Sequence, residues 1–171
     1  MTEHRTGKSL RTALALLLCL IAAAGVLSLS ALADDQLPAG TDGVGRLIIS
    51  SAENWETFAA RVNAGENGLN AIMDADVVLP SDATLVGTAE YPYVGDFDGN
   101  GHTLTYTLTA DDYRYGLFSR VNGCSIHDLS AVGTVNTAYR LTGGLVGEKL
   151  GSNSCNLNRC RVSVTINSSV V

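Results

Sequence analysis

Two segments of the chain alternate between apolar and polar side chains without interruption. In residues 103–109 the apolar positions are Leu104, Tyr106 and Leu108, and threonine fills every position between them. Residues 161–167 repeat the pattern, with valine or isoleucine at every second position. A period of two places alternate side chains on opposite faces of an extended chain. Both segments therefore predict half-buried β-strands.

The chain also resembles itself. Residues 116–119 (GLFS) match residues 144–147 (GLVG), 28 positions later, and residues 122–126 (NGCSI) match residues 153–157 (NSCNL), 31 positions later. A three-residue insertion therefore lies between the two matches. Repeats that differ by short insertions are typical of solenoids, because loops can bulge outward while the coils stay stacked. The fold class predicted is all-β, a parallel β-helix.

Stacked coils place equivalent residues over one another, so the repeat also predicts a register. It sets Val135 against Ile166. We further expect Leu104, Ile126 and Leu157 to lie in ladders that face the interior. A charged side chain at any of these three positions would then prevent folding.

One earlier segment has helical rather than alternating spacing. Ser50 and Glu53 have the spacing of a capping box. Apolar side chains then recur at i, i+3, i+4 and i+7: Trp55, Phe58, Ala59 and Val62. Because the first coil of a solenoid leaves apolar groups and backbone uncovered, we expect residues 47–64 to form a strand and an amphipathic capping helix. Glutamates rather than lysines on its polar face disfavour a membrane-surface helix.

The amino-terminal residues have the features of an export signal. A basic start precedes an apolar run over residues 13–29, and Ala31 and Ala33 give the small-x-small pattern of a cleavage site. A transmembrane anchor is the alternative, because the run approaches the length that spans a bilayer. We expect residues 1–33 to be a signal peptide, residues 34–46 a polar linker, and the chain to be secreted or held at the cell surface.

Charge then limits the classes of partner. Without residues 1–33 the chain loses one of its 17 acidic residues and three of its 11 basic residues, which leaves 16 acidic and 8 basic residues and a net charge of −8. Such a surface repels polyphosphate backbones and anionic lipid headgroups. Neither nucleic acid nor, after signal cleavage, a membrane is expected as a partner.

Three cysteines follow the predicted cleavage site: Cys124, Cys155 and Cys160. The repeat places Cys124 over Cys155, within the distance that a disulfide between stacked coils requires. The alternative is a ladder of small buried thiols. The odd number of cysteines argues against a fully paired framework.

Several segments together resemble a known family: bacterial secreted and surface proteins built as right-handed parallel β-helices with GLUG repeats. The resembling segments are SSAENWETFAARVNAG (residues 50–65), AIMDADVVL (71–79), GDFDGNGHTLT (95–105), GLF (116–118) and GGLVG (143–147). The GLxG unit is complete only in the last of these and departs from the pattern at Ser119. The resemblance implies a right-handed coil and a stalk-like or adhesin-like surface role, and it implies architecture more than chemistry.

The turn before the first alternating segment contains a candidate calcium site. Asp96, Asp98 and Asn100 followed by Gly101 match the first positions of an EF-hand loop, but position twelve is Thr107, which cannot supply the bidentate carboxylate. The alternative is a tight corner in which Asp98 and Asn100 bond to backbone while Gly99 and Gly101 take positive φ. No cofactor other than calcium is suggested.

One loop contains a candidate glycan-contacting set. Its residues offer two carboxylates, a guanidinium and two aromatic rings: Asp111, Asp112, Tyr113, Arg114 and Tyr115. A solvated loop is the alternative. No second acid is placed to complete a hydrolytic mechanism, and neither His102 nor His127 belongs to a zinc motif, so we predict no catalytic residue.

These observations predict a non-enzymatic, exported, adhesin-like β-helix segment that consists of the cap and first coils and contacts surface or host glycans or proteins. The alternative is the amino-terminal part of a carbohydrate-active β-helix enzyme, a lyase or hydrolase, whose catalytic coils lie downstream. The apolar strand at residues 162–166 has no capping segment after it. We therefore expect residues 47–171 to belong to a longer solenoid, with downstream coils of the same chain as partners. Expressed alone, residues 34–171 should self-associate.

Overall fold

The computed structural model describes residues 40–110, 113–139 and 142–169. The predicted signal peptide and residues 34–39 of the predicted linker lie outside the described residues. The rest of that linker folds back on the first strand, where Thr41 forms an antiparallel bridge with Leu47. Among the described residues, no helix has both the length and the apolar character needed to cross a bilayer.

The described chain is built from short strands and a single α-helix, α1. In chain order the elements are β1 Leu47–Ile49, α1 Ala52–Asn63, β2 Ala71–Met73, β3 Val77–Val78, β4 Asp96–Asp98, β5 Thr103–Ala110, β6 Phe118–Val121, β7 Ser125–His127, β8 Ser130–Thr137, β9 Val146–Lys149, β10 Asn156–Asn158 and β11 Arg161–Ser168. Both segments predicted from alternation are strands, β5 and β11.

The strands form three sheets that the chain visits in turn. Sheet A has the order β1-β2-β4-β7-β10, sheet B the order β11-β8-β5-β3, and sheet C pairs β6 with β9. Every pairing between these strands is parallel. Neighbouring strands within a sheet therefore belong to successive coils, and the predicted parallel β-solenoid is confirmed, with about four turns. Its right-handed twist stays a prediction.

The predicted register is confirmed as well. Phe118 pairs with Val146 at the 28-residue offset, and Ile126 pairs with Leu157 at the 31-residue offset. The three-residue insertion therefore lies between β9 and β10. Val135 pairs with Ile166, as the repeat predicts.

The interior consists of apolar ladders that run through the coils. Leu104 and Ile126 are fully buried, as predicted. Leu157 occupies its predicted place on Ile126 but is 55% exposed, because no described coil lies beyond β10. The ladder position was predicted correctly, and the exposure reflects the edge of the stack.

The helix closes the β1 side of the solenoid. Trp55, Phe58, Ala59 and Val62 are all fully buried. Its N-cap is Ser51, whose hydroxyl accepts a hydrogen bond from the backbone N–H of Asn54. The predicted N-cap, Ser50, lies one residue too early, because its backbone N–H and its hydroxyl both donate to the Asn54 side chain.

Polar side chains of α1 satisfy backbone groups of the adjoining coil. Glu56 accepts from the N–H of Thr84 at 2.9 Å. Asn63 donates to the carbonyl of Leu85 and accepts from the N–H of Gly87. These groups would otherwise form an unpaired edge, so α1 caps the backbone as well as the apolar interior.

Candidate functional site

The corner between β4 and β5 is built by side-chain-to-backbone bonding. Asp98 accepts a hydrogen bond from the N–H of Asn100 at 2.8 Å. Asn100 and Gly101 take positive φ, of 51° and 81°. Gly99 does not, which corrects the prediction for that residue. It must be glycine for another reason: a Cβ there would lie 2.5 Å from the Cα of Leu129 on the next coil.

The same corner separates the predicted calcium ligands. The side-chain amide of Asn100 donates to the carbonyl of Met73, on the preceding coil, at 3.1 Å. Asp96 and Asp98 instead stand two residues apart on β4 and both approach His127 of β7. The structure thus brings together two of the three predicted ligands, around a histidine.

We call Asp96, Asp98, His127 and Asp128 the acidic–histidine cluster. It lies on the outer side of sheet A. His127 Nδ1 lies 2.7 Å from a carboxylate oxygen of Asp128 and 3.5 Å from one of Asp98, while Nε2 lies 3.3 Å from Asp96. The in-register pairing of β4 with β7 creates this arrangement, because it sets Asp98 against His127.

Two arginines from other coils form ion pairs with the cluster. Arg46 contacts Asp98 at 3.0 Å and also binds Asp42. Arg159 forms a two-pronged ion pair with Asp128. Each guanidinium therefore joins a carboxylate that belongs to a different coil.

These contacts shift the protonation equilibria. Partial burial acts to lower the pKa of His127, but its hydrogen bonds to Asp128 and Asp96 outweigh burial and raise the pKa above its ordinary value. The hydrogen bonds from Arg159, and then from His127, hold the pKa of Asp128 well below its usual range. The contacts thus favour the charged forms of Asp128 and His127.

The donor atoms do not fit calcium well. Ligand atoms of Asp98, His127 and Asp128 all lie within 4.8 Å of one another, as a metal site would require. Calcium, however, prefers oxygen ligands, and both carboxylates already bind guanidinium groups. A cation would have to displace Arg46 and Arg159. Calcium binding at Asp96, Asp98 and Asn100 stays a prediction.

The predicted glycan-contacting loop is only partly described. Asp111 and Asp112 lie outside the described residues. Tyr113 is 55% exposed, and its ring centroid lies 4.7 Å from that of Tyr139. Tyr115 is buried, and Arg114 binds Glu148 at 2.7 Å. Among the predicted set, Tyr113 therefore offers the exposed ring, and Tyr139 supplies a second ring that the sequence did not indicate.

The three described cysteines are free thiols. Cys124 is 2% exposed, and burial is the main cause that raises its pKa to about 12. Cys155 lies over it and accepts a hydrogen bond from the N–H of Gly123. This arrangement agrees with the predicted thiol ladder.

Several residues of the site escaped the sequence interpretation. Arg46 could not have been assigned, because its partner Asp98 lies 52 positions away without a repeat relation. Arg159, by contrast, follows Asp128 by the same 31 positions that relate Cys124 to Cys155. The repeat offset alone would have placed these two charges together.

Comparisons of the chain with protein-family models, with curated proteins and with solved structures find no match.

Proposed function

We propose that the chain is a non-enzymatic, exported β-solenoid segment with an adhesin-like role at the cell surface. The observation that carries the proposal is that charged side chains on the outer surface form ion pairs between coils. Three groups of ion pairs on the outer surface join one coil to another. A rigid stack of coils joined by ion pairs is suited to presenting a binding surface at a distance from the cell. It is less suited to catalysing turnover of a substrate.

Three ion-pair groups support this proposal. Arg46 reaches Asp98 across the coil that contains β2, and Arg159 binds Asp128 on the adjoining coil. On sheet C, Glu148 of β9 binds Arg114, which precedes β6. The ion pair with Arg159 holds the pKa of Asp128 well below its usual range, so Asp128 is a poor general acid.

Glycan contact is the second element of the proposal, and we assign it to Tyr113 and Tyr139. Their rings are tilted by 59° and form a surface on which a sugar ring could stack. On an array of neutral oligosaccharides, Tyr113→Ala should lose binding and Tyr113→Phe should retain it. Tyr91→Ala is the matched control, because Tyr91 is a partly exposed tyrosine of a separate loop. Equal binding by Tyr113→Ala and the parent would remove the glycan assignment.

Export is tested in the organism that encodes the chain. An antibody raised against the full chain should label intact cells or detect the protein in the medium. The amino terminus of that protein should be Asp34 if the signal is cleaved after Ala33. Recovery of the chain only from the cytoplasm would refute the proposal.

A further inference from the structure

The outer face of sheet B consists mainly of hydroxyl and amide side chains. Along β5, buried positions alternate with outward ones, and β8 and β11 continue the alternation in register. We call the twelve outward residues of these strands the hydroxyl face. They are Thr103, Thr105, Thr107 and Thr109 on β5, Ser130, Val132, Thr134 and Asn136 on β8, and Arg161, Ser163, Thr165 and Asn167 on β11.

Charge separates this face from the other two sheets. Sheet A carries the acidic–histidine cluster, and sheet C pairs Arg120 with Glu148. The hydroxyl face contains no acidic residue and one basic residue, Arg161 at a corner, although the chain has 17 acidic and 11 basic residues. A charged partner is recognised through opposite charges, which this face lacks. The face therefore suits an uncharged partner.

The side chains of the face form rows that cross the coils. One row is Thr107, Thr134 and Thr165, and the next is Thr109, Asn136 and Asn167. Neighbours in a row lie about 4.8 Å apart, and rows follow each other about 6.6 Å apart along the strands. Threonine has few χ1 rotamers because it is β-branched, so its hydroxyl is oriented before a ligand binds. Binding to such a row therefore costs little side-chain entropy.

The hydroxyls of the face are available to a partner. Within the described residues, its eight threonine and serine hydroxyls form no hydrogen bond with another protein group. Each hydroxyl can donate one hydrogen bond and accept two, which is also the capacity of a sugar hydroxyl. A protein partner would instead need an apolar centre rich in aromatic side chains. Val132 is the one large apolar side chain among the twelve, so the face matches a sugar better than a protein.

The face ends in a groove that leads toward the tyrosine pair. The groove has a volume of about 700 Å³ and lies at the carboxyl ends of β5, β8 and β11. Thr109 and Asn136 of the face line it. Thr137 also lines it, and its hydroxyl accepts a hydrogen bond from the backbone N–H of Tyr139 at 2.9 Å. The pair of Tyr113 and Tyr139 therefore lies at the same end of sheet B as the groove.

We propose that the hydroxyl face binds an extended, uncharged polysaccharide that lies along its rows and exchanges hydrogen bonds with successive coils. This inference rests on the proposed glycan-binding role and extends it from the tyrosine pair to the outer face of sheet B. The face points away from the stacking axis, so coils added at either end would lengthen it and would not cover it.

Two substitutions of matched shape on β8 test the proposal. Thr134→Val removes a hydroxyl from the middle of a row, and Val132→Thr adds one between Thr105 and Ser163. The full chain is sedimented with insoluble cellulose, mannan or chitin, and the unbound fraction gives the dissociation constant. The parent should bind at least one of the three. For that polysaccharide, Thr134→Val should weaken binding about fivefold and Val132→Thr should tighten it about as much, because each change alters one hydrogen bond.

Tyr113→Ala in the same assay separates this inference from the tyrosine assignment. If the two β8 variants respond as expected while Tyr113→Ala binds like the parent, the face binds the polysaccharide and the tyrosine assignment fails. If Tyr113→Ala loses binding while both β8 variants bind like the parent, the tyrosine assignment stands and the hydroxyl face is not the site. Binding should also be unchanged by salt, because the contacts are uncharged. A parent that binds none of the three polysaccharides, or that binds only at low salt, would overturn the proposal.

Discussion

Replacing Trp55 with alanine is the sharpest test of the capping role of α1. The indole is fully buried and packs edge-on against three rings, those of Phe58, Phe97 and Phe118, at centroid distances of 5.9, 6.0 and 5.8 Å. Phe97 belongs to sheet A and Phe118 to sheet C. The tryptophan thus joins the helix to two of the three sheets, and its removal would open a cavity where they meet.

The expected cost follows from what the side chain contacts. Truncation of a buried large aromatic to alanine costs about 3–5 kcal/mol of unfolding free energy. The indole N–H also donates to the carbonyl of Thr84 at 3.0 Å, and leaving that acceptor without a partner adds about 1 kcal/mol. We therefore expect Trp55→Ala to lower the free energy of unfolding by about 4 kcal/mol or more. That loss approaches the whole stability of many domains.

Guanidinium denaturation of the full chain measures this loss, with circular dichroism in the far ultraviolet as the probe. Trp55→Phe is the matched control, because it keeps an aromatic ring and loses the hydrogen bond. It should cost about 1–2 kcal/mol. If Trp55→Ala lost less than about 1 kcal/mol, the helix would not be holding the coils together, and the capping argument would fail.

Three further substitutions test the coils themselves. Ile126→Asp places a charge in a fully buried ladder and should prevent folding; a melting curve like that of the parent would show that the register is wrong. Gly133→Ala should lower the free energy of unfolding by about 3 kcal/mol, because the new Cβ would lie 1.9 Å from the carbonyl oxygen of Tyr106. The denaturation midpoint measures this loss. The raised pKa of His127 means that protonation stabilises the fold. Its contribution is fully present below pH 6.5 and is lost as pH rises through the folded pKa, so the stability difference between the parent and His127→Gln should shrink over that range; a constant difference would contradict this.

Much of the fold could be predicted because each coil must bury one face of its strands and stack on the next coil. The alternation in β5 and β11 reports which side chains face the interior, and it survives in the sequence because one face of each strand is buried or stacked. The repeat offset predicts that β6, β7 and β8 pair with β9, β10 and β11. Together these two signals gave the parallel stacking and its register.

The candidate site could not be predicted in full, because its contacts join residues that are far apart in the sequence. Arg46 and Asp98 meet only because the chain coils between them. Gly133 interrupts an alternating strand, and only the stacked coils reveal that it lies against the backbone of Tyr106. The N-cap was misplaced by one residue because Ser50 and Ser51 are adjacent serines, and the sequence alone does not show which hydroxyl accepts from the backbone N–H of Asn54.

In the proposed function, the acidic–histidine cluster ties coils together and performs no chemistry. The direct measurement compares the parent with Asp128→Asn in two assays: thermal unfolding, and release of reducing or unsaturated ends from a panel of polysaccharides. We predict that the parent releases none and that Asp128→Asn unfolds at a lower temperature, because Arg159 and His127 lose their shared partner. Cleavage by the parent that disappears in Asp128→Asn, with an unchanged unfolding temperature, would show a catalytic role instead.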